Sequence, residues 1–273
     1  MVPRNNLLAI LCILPALAFG HGTLHEKIEN LRAAIAKKPE NAALRRQLAS
    51  VYCAHGDWQQ ALGELERAES LAPGCADVDL LRGQALLSGN QPAEAKRSID
   101  EFLAAEPPNS HALRLRARAF AALKDPERSL ADYRASLRLG VTDPDLVLEA
   151  ADALNANGHA EEAVQLLSAA LAQVGEIPVL VRRAMELEIS TGQFDSALKR
   201  VDRLQKFAPR PEPWMAKRAS LLAQAGRIPE SRAAWESLLA HLSELPNLER
   251  GSKPMNLLAE QARQALAALK TTR

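Results

Sequence analysis

Small and large apolar residues recur along this chain with a period of 34. Stepping by that interval from Ala42 gives Ala76, Ser110, Pro144, Pro178 and Glu212. At the twentieth place of each interval stand Ala61, Ala95, Ser129, Ala163, Ala197 and Ser231, all small. Four residues later stand Leu65, Ile99, Tyr133, Leu167, Val201 and Trp235, all large and apolar. The eighth place reads Ala49, Gly83, Ala117, Ala151, Met185 and Ala219, with only Met185 out of type. A fixed period in this range marks a stack of like units.

Each unit splits into two predicted helices. Small residues at places 8 and 20 allow two backbones to approach closely, and large ones at places 11 and 24 fill the space around that contact. Place 11 reads Tyr52, Leu86, Phe120, Leu154, Glu188 and Leu222, so Glu188 departs from type. Between the halves, place 15 reads Gly56, Asn90, Lys124, Gly158, Gly192 and Gly226. A helix often ends on a left-handed residue, a conformation Gly adopts freely and Asn acceptably. Lys124 suits that role poorly, but Asp125-Pro126 supply a stop of their own. Pro73, Pro107 and Pro209 stand where second helices are expected to end.

The pattern resembles the tetratricopeptide repeat. The first copy carries the resemblance most fully, with Leu48, Ala49, Tyr52, Gly56, Asp57, Trp58, Ala61, Leu65, Ala68 and Pro73. The departures are Arg45 and Asp79 at the fourth place, and Phe102, Leu204 and Leu238 at the usually small place 27. The resemblance implies an all-α, right-handed solenoid of six helix-turn-helix repeats with capping helices at both ends. The expected organisation is a leader at 1–20, a capping helix at 21–41, and repeats at 42–75, 76–109, 110–143, 144–177, 178–211 and 212–245. A linker and last helix follow at 246–273.

Composition agrees with helix-on-helix packing. Aromatic residues are only 4%, so alanine and leucine carry the core, and no segment shows the period-2 alternation of a strand. The 34 Lys and Arg against 33 Asp and Glu argue against general nucleic-acid binding, which needs a basic field.

Residues 1–20 have the layout of a secretory signal peptide: Arg4, an apolar run from Leu7 to Leu14, Pro15, then small residues. The run falls short of the roughly 20 residues a permanent span needs. Cleavage before Phe19 or before His21 fits the small residues there. A bacterial periplasmic or secreted location follows, with no stable membrane span after cleavage. Thr23-Leu24-His25-Glu26 reads as a capping box opening the N-terminal helix, which buries Leu24, Ile28, Leu31 and Ile35. At the other end Pro254 excludes a seventh repeat, and Leu258, Ala262, Ala265 and Leu269 share one face of a last helix.

Chemistry is sparse. There is no GxSxG elbow, P-loop or GxGxxG, neither Cys53 nor Cys75 lies in a CxxC, and His25-Glu26 lacks the second His of a zinc-protease motif. Neither an enzyme nor a bound cofactor is expected. Cys53 and Cys75 lie on the order of 15 Å apart along the helix axis, too far for a disulfide. A metal arrangement is open for either cleavage site. Cleavage before Phe19 would leave Phe-Gly-His, a square-planar Cu(II) or Ni(II) chelator, and cleavage before His21 would leave the amine and imidazole of one residue to chelate copper, so His21 and, beside it, His25 are the metal candidates.

In the tetratricopeptide family the first helices line an inner, concave surface. By that resemblance the partner-facing residues here are Arg46, Asp77, Gln84, His111, Arg114 and Arg118, followed by Asp145, Asp152, Asn155, Arg182 and Glu186. Arg114 and Arg118 lie one turn apart and can reach a single carboxylate or phosphate, or pair with Asp145 and Asp152. Arg46, Ser50 and Leu81 do not reproduce the lysine and asparagines with which one branch of the family clamps its partners' tails. The expected function is a non-catalytic scaffold that holds a protein or peptide. The alternatives are copper or nickel binding at the N-terminus and a self-associating envelope scaffold.

Overall fold

The computed structural model describes residues 16–140 and 143–271, with side chains over 23–140 and 143–269. Most of the expected leader, residues 1–15, lies outside them, as does the His21 side chain. Every regular element among the described residues is a helix. The chain forms two compact units, Met1–Leu139 and Gly140–Arg273.

The first unit opens with α1 (Ala16–Lys37) and continues with three hairpins. These are α2 (Ala42–His55) with α3 (Trp58–Leu71), α4 (Ala76–Ser88) with α5 (Pro92–Ala105), and α6 (Ser110–Ala122) with α7 (Pro126–Arg138). The second unit pairs α8 (Pro144–Ala156) with α9 (Ala160–Val174), α10 (Pro178–Ser190) with α11 (Phe194–Phe207), and α12 (Glu212–Gln224) with α13 (Ile228–Glu244). It closes with the single turn α14 (Asn247–Arg250) and α15 (Lys253–Thr271). Within the first unit α2, α4 and α6 are neighbours, and α8 neighbours α10 in the second.

The repeated positions do what their sizes predict. All residues at places 8, 11, 20 and 24 are buried, including Met185 and Glu188. At Gly83 the approach is so close that a Cβ would stand 2.4 Å from Ile99 Cγ1. Where place 20 is serine, its hydroxyl is satisfied within the hairpin. Ser129 Oγ donates to the Ala117 carbonyl at 2.9 Å, and Ser231 Oγ to the Ala219 carbonyl at 2.8 Å. Burying a hydroxyl without such a partner would be costly.

Each hairpin turn closes in the same way. All six residues at place 15 have positive φ, including Asn90 at 56° and Lys124 at 61°. The next residue donates its backbone N–H to the carbonyl at place 11: Asp57 to Tyr52, Gln91 to Leu86, Asp125 to Phe120, and likewise His159, Gln193 and Arg227. This is the six-to-one bond of a Schellman motif. Lys124 thus takes the left-handed conformation despite its side chain. The following stop helps: Asp125 accepts from the Arg128 backbone N–H, and Pro126 opens α7.

The departures from the repeat come with partners. Arg45 at place 4 donates to Glu64 Oε2 at 2.9 Å. Asp79 accepts from Arg82 at 2.6 Å. Glu188 at place 11 accepts from Arg200 Nε at 2.7 Å, and Arg200 also reaches Ser168 Oγ at 2.8 Å. Arg116 forms a fork with both oxygens of Asp132, at 2.7 and 2.9 Å, and reaches Asp100 at 3.0 Å. Arg218 and Asp202, at 3.0 Å, repeat the relation of Arg116 to Asp100 three periods later.

Two terminal details differ from expectation or refine it. Thr23 is not an N-cap, because α1 begins no later than Ala16 and runs through it. Ala16, Leu17 and Ala18 are strong helix formers, and continuing a helix is easier than starting one at a capping box. Ile28 is buried in the core of the first unit, with Leu31 and Ile35 packed beside it. The linker expected from residue 246 contains α14, and Pro254 occupies the first turn of α15, where proline is tolerated. Ala262 is buried there, and Leu258, Ala265 and Leu269 lie against the core of α12 and α13.

Candidate functional site

The first unit carries six of the sequence-predicted partner residues. Arg46 is half-buried on α2. Asp77 is exposed in the first turn of α4, and Gln84 is half-buried further along it. On α6, His111 and Arg118 are exposed and Arg114 is half-buried. The intervals of three and four residues place all three on one face of α6. None of these three is without an interaction partner.

The second unit carries the other five. Asp145 and Asp152 are exposed on α8 and Asn155 is half-buried there, while Arg182 and Glu186 are exposed on α10. Two of them are brought together by a residue that sequence reasoning missed. Arg183 Nε donates to Asp152 Oδ1 at 2.6 Å, and its Nη1 donates to Glu186 Oε2 at 3.2 Å. The chain Asp152–Arg183–Glu186 ties the first helices of adjacent hairpins across their faces. Its sequence signal was weak, since Arg183 stands at place 6, outside the places that the family resemblance assigns to the inner surface.

Arg182 belongs to a different environment. It borders a cleft of about 710 Å³ between α10, the end of α11 and the start of α12. Val181, Leu204, Phe207 and Trp214 give that cleft an apolar lining. Across the mouth, Arg203 Nη1 and Glu176 Oε1 are 2.8 Å apart.

The buried polar pairs belong to the packing. Glu188 is 1% exposed and Glu212 2%, and in each the second carboxylate oxygen has no hydrogen-bond partner. Glu212 Oε1 lies 3.4 Å from His241 Nε2, between α12 and α13. Burial raises the Glu188 carboxyl above the usual range, and the bond from Arg200 opposes this.

His25 is exposed on α1. Among the described residues no three His, Cys, Asp or Glu side chains cluster as metal ligands. Cys53 and Cys75 are both free thiols. Cys53 is buried and its pKa is pushed up to about 11 by that burial. No helix among the described residues is long and apolar enough to cross a membrane.

Comparison with known proteins places the repeat and the fold. A family model described as tetratricopeptide repeat matches residues 80–144, about a quarter of the chain. No curated protein matches. Among solved structures, pilF of Pseudomonas aeruginosa is 23% identical with a TM-score of 0.55, covering 70% of this chain and 87% of that one. A tetratricopeptide repeat protein from Parabacteroides merdae is 16% identical with a TM-score of 0.52, covering 90% and 93%. YrrB, described as a tetratricopeptide protein with an unusual peptide-binding site, is 19% identical with a TM-score of 0.50, covering 67% and 94%. The chain is therefore similar to tetratricopeptide-repeat proteins in sequence over residues 80–144, and in fold over most of its length.

Proposed function

We propose that this chain is an exported, non-catalytic scaffold that binds protein or peptide on the faces of its first helices. The observation that carries this reading is the division of labour within each hairpin. The repeated small and large residues are consumed by packing, while charged residues at other places of the first helices remain at the surface. On α6 these are His111, Arg114 and Arg118, a polar face able to bind an acidic or hydrogen-bonding segment. The signal-like residues 1–20 support export to the periplasm or beyond. The similarity in fold to tetratricopeptide-repeat proteins is in keeping with a binding role, but the fold alone assigns no function, so the reading stands on the first-helix residues.

The test is crosslinked capture of the mature protein from its native envelope, compared with the Arg114→Ala/Arg118→Ala variant. Loss of one abundant partner from the variant, with helical content unchanged, supports the reading. Equal capture by both proteins overturns the role of these arginines.

A second reading, self-association, draws on Leu248 at 90% and Leu257 at 56% exposure near the last helix. Truncation before residue 246 would then lower the solution mass below that of an assembly. Copper or nickel binding through His21 and His25 predicts stoichiometric Cu(II) uptake that His21→Ala abolishes.

A further inference from the structure

The cleft beside Arg182 is built differently from the polar helix faces. Its floor is fixed: Leu204 and Trp214 pack against the buried cluster of Val201, Leu221 and Leu222, so the apolar surface does not depend on a mobile loop. The rim is open. Phe207 at the end of α11 is 72% exposed, and Lys206 Nζ stands 5.7 Å from its ring centroid. A large aromatic left uncovered beside a preformed apolar cavity is the arrangement that receives an anchoring side chain.

The charges at the mouth select the occupant. Arg203 is matched by Glu176. Arg182 has no ion-pair or hydrogen-bond partner among the described residues. With Lys206 close by, the mouth has an excess of positive charge, and the unmatched group is a guanidinium, suited to forked binding of a carboxylate. The volume of about 710 Å³ accommodates one large side chain and adjoining backbone.

We propose that this cleft binds an acidic segment of a partner protein, with one bulky apolar side chain inserted against Leu204 and Trp214 and a neighbouring Asp or Glu paired with Arg182. The inference rests on the protein-binding reading above and shares Arg182 with the first-helix residues expected to face a partner, but its apolar lining comes chiefly from the end of α11 and the start of α12, not from the helix that carries Arg114 and Arg118. It also accounts for Leu204, which departs from the small residue usual at its place. Here the larger side chain lines a binding surface.

The test uses the full chain and two labelled octapeptides. One has a phenylalanine flanked by glutamates, and the other has lysines in place of the glutamates. Fluorescence anisotropy reads binding, and tryptophan emission reads contact with Trp214, with the Trp214→Phe variant identifying that signal. The expected result is that the glutamate peptide binds at least about ten-fold more tightly than the lysine peptide. Arg182→Glu, on an exposed position, should reverse the preference while helical content stays the same. Phe207→Ser should weaken both peptides.

Failure to bind the glutamate peptide overturns the proposal. So does binding that is indifferent to Arg182→Glu and silent at Trp214, because the peptide then sits elsewhere. A concentration-dependent dimer abolished by Phe207→Ser also overturns it, in favour of a second copy of the chain. None of these results touches the Arg114 and Arg118 comparison, so that reading stands or falls on its own.

Discussion

Arg200 Nε donates to Glu188 Oε1 at 2.7 Å, joining α11 to a carboxylate at a position that is apolar in all the other hairpins. The pair is almost wholly buried, and Glu188 Oε2 has no hydrogen-bond partner. Desolvation of the two charges offsets much of their attraction, whereas loss of one partner strands the other. Arg200→Leu should therefore destabilise the fold by about 3–5 kcal/mol. The double replacement Glu188→Leu/Arg200→Leu should cost far less or stabilise, as urea midpoints at pH 7 will show.

The same pair sets a pH dependence. Burial raises the Glu188 pKa in the folded chain above its ordinary value of 4.5. Its contribution to stability is then complete below that value and disappears as pH rises through the folded pKa. Arg200→Leu removes the group that holds the shift down. Acidification from pH 7 toward 5 should therefore restore part of the variant's lost stability relative to the unaltered chain, in parallel urea titrations.

Gly83 tests the closeness of helix contact. An added methyl group would meet Ile99 Cγ1 at 2.4 Å and the Ala95 carbonyl oxygen at 3.2 Å. Ile99 is itself fully buried and has nowhere to move. The overpacking outweighs the gain in helix propensity, so Gly83→Ala should lose about 1–2 kcal/mol. A surface alanine elsewhere in α4 gives the control.

Lys124 bears the opposite strain. Its φ of 61° is left-handed, and the residue is exposed. Glycine relieves the clash of Cβ with the backbone, partly offset by the greater freedom it gives the unfolded chain. Lys124→Gly should gain about 0.5–1 kcal/mol in thermal or urea unfolding.

The two thiols should differ in reactivity. Cys53 is buried, with a pKa pushed up to about 11, whereas Cys75 lies half-exposed at the start of α4. At pH 8 a disulfide reagent should modify Cys75 first, as peptide mapping would show. Cys53 should react only at the rate of local or global opening.

Much of the fold was legible because size and spacing encode it locally. Place 8 against place 20, place 11 against place 24, and the left-handed residue between them are fixed by backbone geometry within a single hairpin. The partners of the departures were not legible. Glu188 looks like an error in the pattern until Arg200 is seen beside it. Arg45 likewise pairs with Glu64, nineteen residues away on the next helix. Hydrophobic periodicity contains no information about such charge pairs. Arg183 was missed for a similar reason, since its role depends on Asp152 in the preceding hairpin. The cleft at Arg182 arises where a bulky Leu204 meets Trp214, and no single residue there announces a cavity.

The Schellman turns have a kinetic consequence. Each hairpin is closed by a hydrogen bond spanning five residues, from Asp57 to Tyr52 and so on to Arg227 and Leu222. Ordering such a turn requires no distant segment to arrive first, so little loop entropy is lost before favourable contacts form. A chain built this way has low contact order and several equivalent places to nucleate. Its folding rate should tolerate damage to any one turn, because another can start the process.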